Sequence, residues 1–179
     1  MTGVIQLVSA IDFAAKKHRD QRRKDAEKTP YINHPIGVMN ILSEEGKVDD
    51  IPTLMAAVLH DTVEDCECTN DEIKELYGAD VAGVVAEVTD DKNLPKEERK
   101  RMQVVNAPHK SKQAKLVKLA DKLYNLRDLS RCNPEGWTEE RVQQYREWGA
   151  KVCTGLLGTN AALEDALKAE LGKYGVVLG

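Results

Sequence analysis

Two pairs of side chains with metal and proton chemistry stand close together near the end of an apolar run. His60 and Asp61 directly follow the run Leu-Met-Ala-Ala-Val-Leu. Glu64 and Asp65 come three residues after that pair. A histidine beside an aspartate offers two types of metal ligand at one place, and the later carboxylates can exchange protons beside a bound ion. This segment therefore predicts a metal site with acid–base groups next to it.

Two further residues complete a mixed nitrogen–oxygen site. His34 lies upstream, before Pro35, and Asp121 lies downstream in Lys-Leu-Ala-Asp-Lys-Leu-Tyr-Asn. This order of histidines and aspartates resembles that of HD-domain metal-dependent phosphohydrolases. Imidazoles and carboxylates together suit Mn²⁺, Mg²⁺ or Fe²⁺ better than ions that prefer thiolates. The predicted ligands of the ion are His34, His60, Asp61 and Asp121.

Each of these residues also has an ordinary structural interpretation. His34 is compatible with a loop histidine, His60 with a core histidine, and Asp61 with a helix-end residue. Glu64 and Asp65 are compatible with a solvated acidic turn. The metal interpretation rests on finding all of them together in one order, because any of them alone favours the structural interpretation.

Four spaced motifs narrow the resemblance. They are Arg-Arg-Lys-Asp at 22–25, Thr-Pro-Tyr-Ile-Asn-His-Pro at 29–35, His-Asp-Thr-Val-Glu-Asp at 60–65 and Lys-Leu-Val-Lys-Leu-Ala-Asp-Lys-Leu-Tyr-Asn-Leu-Arg at 115–127. In this order they resemble the hydrolase domain of the RelA/SpoT family, whose substrate is the alarmone ppGpp, over about residues 5–170. Long bacterial members add synthetase and regulatory domains, for which 179 residues leave no room. The chain thus resembles a stand-alone small alarmone hydrolase of the animal type.

The resemblance implies an activity and a cofactor. It implies one Mn²⁺ per chain and a 3′-pyrophosphohydrolase that converts ppGpp to GDP and pyrophosphate, as in a stringent-type response to starvation. It also implies that Glu64 and Asp65 position and activate the attacking water. Neighbouring carboxylates often titrate as a coupled unit, so neither residue is assigned as the base or the acid.

The first motif supplies two predicted nucleotide contacts, because in this family it sits against the base. The flat guanidinium of Arg23 can stack on a purine, and Lys24 can meet a phosphate as a point charge. Tyr31 is close in sequence and is predicted to help form the pocket.

A weaker set of predicted contacts comes from other parts of the chain. Arg141 and Tyr145 are four residues apart on one helical face and precede Trp148, which suggests a patch for phosphate and ribose. An ordinary surface pair beside a core Trp is the alternative. Lys96, after a proline at the start of a helix, is a similar candidate.

The long downstream motif departs from the bacterial pattern at two positions. Asn125 is one helical turn after Asp121, so it shares a face with that ligand and is predicted to reach the nucleotide. Tyr124 stands where bacterial members commonly have His, and Asp128 stands where they have Thr. That Thr helps to hold the base in the bacterial enzymes, so the departure leaves the base specificity open.

Two alternative functions remain beside ppGpp hydrolysis. A pocket for a purine nucleotide phosphorylated on the ribose could also accept NADPH, whose 2′-phosphate is chemically similar. A catalytically inactive nucleotide sensor is the third possibility. The intact set of metal-binding and acid–base residues disfavours the sensor, since a pseudoenzyme is expected to lose at least one of them.

Composition and charge exclude several classes of protein. A chain of 179 residues with 41% hydrophobic residues suits one domain with a packed core. The net charge of −4 disfavours a general nucleic-acid binder. The apolar stretch at residues 4–10 is too short for a membrane span and contains Gln6. We therefore expect a small-molecule nucleotide as partner, and neither nucleic acid nor membrane.

The cysteines and the basic stretches add two smaller points. Four cysteines without a disulfide framework favour reduced thiols and a cytoplasmic protein. Basic residues cluster at 16–24 and 96–101, where they either hold an anionic nucleotide or form solvated helix faces. The sequence leaves the oligomeric state open.

The elements that must position these residues are predicted to be helices throughout. Helical spacing of apolar residues predicts one helix over residues 3–24, and Pro35 is predicted to begin a helix that stops at Gly46. Later apolar runs follow side chains that can cap a helix, at Asp50, Thr69, Ser111, Thr138 and either Thr159 or Asn160. We predict an all-α fold: a single HD-domain helical bundle over residues 1–179, with ligands from different helices and turns.

Overall fold

Helices form the regular structure of the computed structural model, which describes residues 3–179. The described residues contain no strand, and their one strand-like pairing is a bridge between Arg22 and Pro30. The all-α prediction is therefore confirmed. None of the helices in this part of the chain has the length and apolar character needed to cross a membrane. The helices are α1 Gly3–Lys17, α2 Asn33–Asn40, α3 Ile51–Leu59, α4 Thr62–Asp65, α5 Asn70–Tyr77, α6 Ala79–Val88, α7 Lys96–Asn106, α8 Lys112–Arg131, α9 Glu139–Thr154 and α10 Ala161–Gly172.

Helix starts follow the predicted capping residues. The Asp50 carboxylate accepts a hydrogen bond from the backbone N–H of Thr53 at 3.1 Å. The Ser111 hydroxyl accepts one from the Ala114 N–H at 3.2 Å. Such caps satisfy backbone donors that have no partner inside the helix. The same arrangement starts three more helices, at Thr69, Thr138 and Asn160.

The predicted first helix ends earlier than expected, at Lys17 rather than at residue 24. Residues 18–32 form a loop in which Asp25 accepts a hydrogen bond from the Thr29 N–H at 2.9 Å. The apolar spacing that predicts α1 stops at Ala15, so the mainly basic stretch beyond it lacks the apolar stripe that would continue the helix. The helix after Pro35 does extend to Glu45, although its last turn, Ile41–Glu45, is π-helical.

Helix α3 lies at the centre of the core. All its residues from Thr53 to Leu59 are buried, and it packs against α1, α2, α6 and α8. Helix α8 buries Leu119, Leu123 and Leu126 against the same core. The carboxyl end of α3, the first turn of α2 and the middle of α8 therefore meet, and these are the segments that carry the predicted metal ligands.

Candidate metal centre and active site

Three buried side chains from three helices converge on one point. His34 comes from the first turn of α2, His60 follows α3, and Asp121 lies in the middle of α8. One possible ligand atom from each lies within 4.8 Å of the others. Nε2 of His34 is 3.3 Å from Oδ1 of Asp121. The packing of α2, α3 and α8 thus brings together ligands that are far apart in the sequence.

The fourth predicted ligand, Asp61, adjoins this cluster. Its Oδ2 is 3.0 Å from Nε2 of His60 and 3.6 Å from Nε2 of His34. The same oxygen accepts a hydrogen bond from the Tyr31 hydroxyl at 2.7 Å. Burial and the Asp61 carboxylate raise the pKa of the Tyr31 hydroxyl, so Tyr31 remains a donor. Asp61 thus lies next to both histidines, but it is not part of the three-residue group His34, His60 and Asp121 whose possible ligand atoms all lie within 4.8 Å of one another.

The donor atoms of the cluster suit a hard divalent cation. Nδ1 of His60 is 2.8 Å from the carbonyl oxygen of Ala57, to which it donates in the neutral ring. The lone pair of Nε2 then faces Asp61, and this nitrogen has no hydrogen-bond partner in the part of the chain that the structure describes. A lone pair that points at a carboxylate needs a cation or a proton between them. A metal bound through Nε2, with Nδ1 held by a carbonyl, meets this need.

The pKa of His60 also indicates that positive charge is favoured at this position. Burial opposes the charged ring, but the neighbouring carboxylates of Asp61 and Asp121 outweigh it and raise the pKa of His60 to about 9. For His34, burial dominates and lowers the pKa. The His34 ring is held edge-on by the rings of Tyr31 and Tyr124, with centroids 5.7 Å and 4.9 Å away. Its orientation is thus set by packing.

The acid–base candidates occupy the single turn of α4. Oε2 of Glu64 accepts a hydrogen bond from the backbone N–H of Asp90 at 3.1 Å, and burial raises the pKa of the Glu64 carboxyl. Asp65 is held through both oxygens: Oδ2 accepts from Nε2 of Gln21 at 3.1 Å and Oδ1 from Nζ of Lys92 at 2.8 Å. The two carboxylates are therefore held differently: Glu64 by one backbone donor, and Asp65 by two side-chain donors.

A cavity of about 780 Å³ opens beside the acid pair. Asp65 forms part of its wall, and the loop 18–32, α8 and the segment between α8 and α9 supply most of the rest. Cationic and aromatic side chains, which can contact a phosphorylated purine, share this lining with the carboxylates of Asp25, Glu27, Asp65 and Asp128. The predicted contacts among the lining residues are Arg23, Lys24, Tyr31, Asn125 and Tyr145.

Two predicted contacts are not among the residues that line this cavity. Lys96 is the first residue of α7, away from the lining. The guanidinium carbon of Arg141 lies 4.3 Å from the ring centroid of Trp137, and it is Trp137 that lines the cavity. Any contact of Lys96 or Arg141 with the nucleotide stays a prediction.

Arg23 is tied to helix α8 by an ion pair and a hydrogen bond. Its Nη2 donates to Oδ2 of Asp128 at 2.6 Å and to Oδ1 of Asn125 at 3.0 Å. Burial opposes its charge, but Asp128 outweighs this and raises the pKa of Arg23 further. Asn125 in turn donates to Oδ1 of Asp121 at 2.7 Å. Asn125 thus connects Arg23 to Asp121, one of the candidate metal ligands.

Comparison with known proteins identifies the family. Residues 10–147 match the model of the HD domain. The chain belongs to the HD-domain family. It is 63% identical over 173 residues to the human protein "Guanosine-3′,5′-bis(diphosphate) 3′-pyrophosphohydrolase MESH1", covering 97% of each chain, and 54% identical to the fruit-fly protein of the same name, covering 89% of each. The resemblance predicted from the four motifs is confirmed.

The fold also agrees with a solved structure of an HD-domain relative. That structure is described as "A metazoan ortholog of SpoT hydrolyzes ppGpp and plays a role in starvation responses". It superposes with a TM-score of 0.94 at 51% identity, covering 96% of this chain and 97% of the other.

The sequence did not predict several of the side chains that hold or line this site. Nζ of Lys122 is buried and donates to Oδ2 of Asp121 at 2.9 Å, although adjacent helical residues normally point in different directions. Gln21 and Lys92 hold Asp65, and Trp137 lines the cavity. Gln21 lies one residue before the first motif, which was a usable signal. Lys92 and Trp137 stand in no motif, and only the packing of their loops reveals them.

Proposed function

We propose that this chain hydrolyses ppGpp, releasing the 3′-diphosphate as pyrophosphate and leaving GDP. The main observation behind this proposal is that three features lie next to one another. They are a buried cluster of histidines and aspartates, an acidic pair, and a cavity whose lining includes cations and aromatic rings. The printed names of the close relatives support the same substrate. In the reaction, water attacks the phosphorus bonded to the ribose 3′ oxygen, and that P–O bond breaks. The 3′ oxygen leaves as a hydroxyl after taking up a proton.

The proposed cofactor is one Mn²⁺ per chain, held by His34, His60, Asp61 and Asp121. The unpartnered Nε2 of His60 and the hard carboxylate oxygens support this assignment. When bound, the ion polarises phosphate oxygens and lowers the pKa of a coordinated water. Buried Lys122 lowers the pKa of Asp121 far enough, against the effect of burial, to keep it an anionic ligand.

Glu64 and Asp65 are proposed to handle the proton. Asp65 is held at the cavity wall, where its carboxylate can orient the attacking water and accept its proton. Glu64 is half-buried, and burial raises the pKa of its carboxyl, which suits it to carry a proton during the cleavage. The two carboxyl groups act as one coupled unit in this proposal.

The remaining lining residues are proposed to hold the nucleotide. Arg23 lies 5.6 Å from the Tyr31 ring centroid and 5.8 Å from that of Tyr124, so these two rings help to fix the position of its guanidinium. Lys24 supplies positive charge at the cavity for phosphate, and Tyr145 closes it from α9. The partner in this proposal is a small nucleotide, and the protein acts in the cytoplasm, where its four free cysteines stay reduced.

A product assay tests this function. The purified chain is incubated with ppGpp and Mn²⁺, and both GDP and pyrophosphate are quantified against a sample treated with a chelator. We expect equal amounts of the two products, and no products in the chelated sample. Release of orthophosphate in place of pyrophosphate would contradict the proposed bond cleavage.

A second candidate substrate is NADPH, through its 2′-phosphate. A second cavity of about 460 Å³ lies next to the first and shares Tyr124 and Arg131 with it, which supports a longer substrate that contacts both cavities. Turnover of ppGpp and NADPH measured on one preparation separates the candidates. If NADPH is a substrate, Arg131→Ala should change its KM more than that of ppGpp.

A further inference from the structure

The orientation of Asp65 depends on a glutamine outside the predicted site. Nε2 of Gln21 donates to Oδ2 of Asp65 at 3.1 Å. A carboxylate only accepts hydrogen bonds, so the amide must present its NH₂ group to Asp65 and its carbonyl oxygen to the other side. The Gln21 backbone is fixed as well, because its carbonyl oxygen accepts from the Tyr31 N–H at 3.0 Å.

The other side of that amide meets a buried histidine. Nδ1 of His18 is 2.6 Å from Oε1 of Gln21. Because Oε1 accepts only, Nδ1 of His18 carries a proton and donates it. A flipped Gln21 amide would turn its oxygen against the Asp65 carboxylate. It would fit His18 only if the imidazole proton moved from Nδ1 to Nε2, which has no acceptor among the described residues. The His18 tautomer with its proton on Nδ1 therefore stabilises the amide orientation that Asp65 needs.

The His18 side chain has few other polar contacts. It is 1% exposed, it packs against the Tyr31 ring with centroids 5.0 Å apart, and Sγ of Cys66 lies 3.3 Å from the same Nδ1. Nε2 of His18 has no hydrogen-bond partner within residues 3–179. An apolar side chain of similar size would fill this space without leaving a buried nitrogen unpaired, which is unfavourable. Packing alone therefore does not explain a histidine at this place.

We propose that His18 and Gln21 are positioning residues that hold the Asp65 carboxylate in its reactive orientation. His18 fixes the Gln21 amide, and the amide fixes the carboxylate. Gln21 is among the residues that line the cavity, His18 is not, and neither is one of the predicted metal ligands. This inference rests on the proposed function, because it assumes that Asp65 acts on the water. Lys92 holds the second oxygen of Asp65 from the opposite side.

The first test removes the amide and keeps the length of the side chain. In Gln21→Met we expect kcat for ppGpp to fall about 10- to 100-fold, the range typical when a group that orients an active residue is lost. We expect KM and Mn²⁺ affinity by titration calorimetry to stay near wild type, and the thermal midpoint to fall modestly because the buried N–H of His18 loses its acceptor. Gln21→Glu keeps both the length and the acceptor for His18 but turns an acceptor towards Asp65. Gln21→Glu should lower kcat at least as much, and it replaces Gln21→Met in the test if the Met variant fails to fold.

A matched control exists on α8. Nε2 of Gln113 donates to Oδ2 of Asp50 at 3.0 Å, which is the same type of contact at a place that does not line the cavity. Gln113→Met should therefore leave kcat unchanged. A similar loss of kcat in both variants would mean that the effect of Gln21→Met is a general one, and this would overturn the inference.

The second test asks whether His18 acts through Gln21. His18→Leu should lower kcat about tenfold without lowering the thermal midpoint, since the unpaired Nε2 is also removed. Asparagine carries an N–H close to the position of Nδ1, so His18→Asn should recover most of the lost kcat. In the Gln21→Met background, His18→Leu should have almost no further effect, because interacting residues are not additive.

The outcomes separate this inference from the proposed function. A wild-type chain that releases no pyrophosphate from ppGpp overturns the function and the inference together. An active wild-type chain with a Gln21→Met variant of normal kcat overturns the inference alone. Multiplicative losses in the double variant would show that His18 does not act through Gln21 and would remove it from the proposal.

Discussion

The predicted metal ligands and the cations of the nucleotide cavity are held in place in different ways. His34, His60 and Asp121 are buried, and the helices that carry them pack directly against one another. Arg23, by contrast, comes from an irregular loop and is held by Asp128, which also pairs with Arg131. Rigid helix packing suits a metal, whose ligand distances tolerate little change. Ion pairs at a partly open cavity can exchange for contacts with a substrate.

This difference makes the expected effects of mutation unequal. Loss of a side chain in the buried cluster leaves a gap that its neighbours cannot fill, because their helices fix them. Loss of one contact at the cavity rim leaves several other side chains to hold the substrate, so it should lower activity less. The predictions below test this contrast in order of expected effect.

The largest effect is expected at the metal cluster. His60→Ala or Asp121→Ala removes one of four predicted ligands, so Mn²⁺ binding and nearly all turnover should be lost, on the order of 10³-fold or more. Calorimetric titration with Mn²⁺ and the product assay measure the two effects. Helix α8 should survive Asp121→Ala, since alanine favours helices, and circular dichroism checks this. Near-normal Mn²⁺ affinity in either variant would refute the ligand assignment.

The next effect separates proton handling from metal binding. Asp65→Asn keeps the shape of the side chain and loses the charge, so turnover should fall about 10²- to 10⁴-fold, as for loss of a general acid–base group. Mn²⁺ and nucleotide affinities should stay close to wild type. A variant that loses Mn²⁺ would place Asp65 among the ligands, and one with full turnover would return it to an ordinary acidic turn.

A smaller effect is expected where the two regions touch, at Gly37. A Cβ there would overlap Cε2 of Tyr124 and lie 2.6 Å from Cδ2. Tyr124 packs against His34 and lies beside Arg23, so Gly37→Ala should shift the ring and disturb both. We expect a loss of about 1–3 kcal/mol in the free energy of unfolding, typical of overpacking, and a raised KM for ppGpp.

The control for this variant is Gly83→Ala in α6. A Cβ at Gly83 meets nothing within 4 Å, so this change should stabilise the helix by up to about 1 kcal/mol. Denaturant unfolding of both variants provides the comparison. Equal stabilities would show that Tyr124 moves aside easily and that the contact between the regions is loose.

The smallest effect is expected at the cavity rim. Arg23→Lys keeps the charge and loses the flat guanidinium, so KM for ppGpp should rise about tenfold with a smaller change in kcat. Stacking contributes equally before and during the reaction, which is why kcat should change less. Arg22→Lys is the control, because the Arg22 guanidinium donates to backbone carbonyls of Arg19 and Gln21 instead of reaching α8. Equal effects at both positions would indicate that general positive charge, and not stacking, is what this motif supplies.

Local sequence was enough to predict most helices and the identity of the chemical groups. Asp50 and Ser111 cap helices because their partners lie three residues on, a distance that local sequence determines. The predicted end of α1 was wrong, because the helical spacing of apolar residues shows where a buried face exists. It does not show where a basic stretch turns into a loop. His60 and Asp61 adjoin in the chain, so their proximity needs no folding information.

Tertiary structure decided which side chains hold these chemical groups in place. Gln21 and Lys92 reach Asp65 from 44 residues before it and 27 after it, and nothing in the local sequence relates these segments. Lys96 and Arg141 have suitable chemistry, yet packing places them outside the cavity lining. A residue type states what a side chain can donate or accept, and the sequence by itself determined that much. Which atom it faces depends on how helices and loops pack, and that is a property of the whole fold.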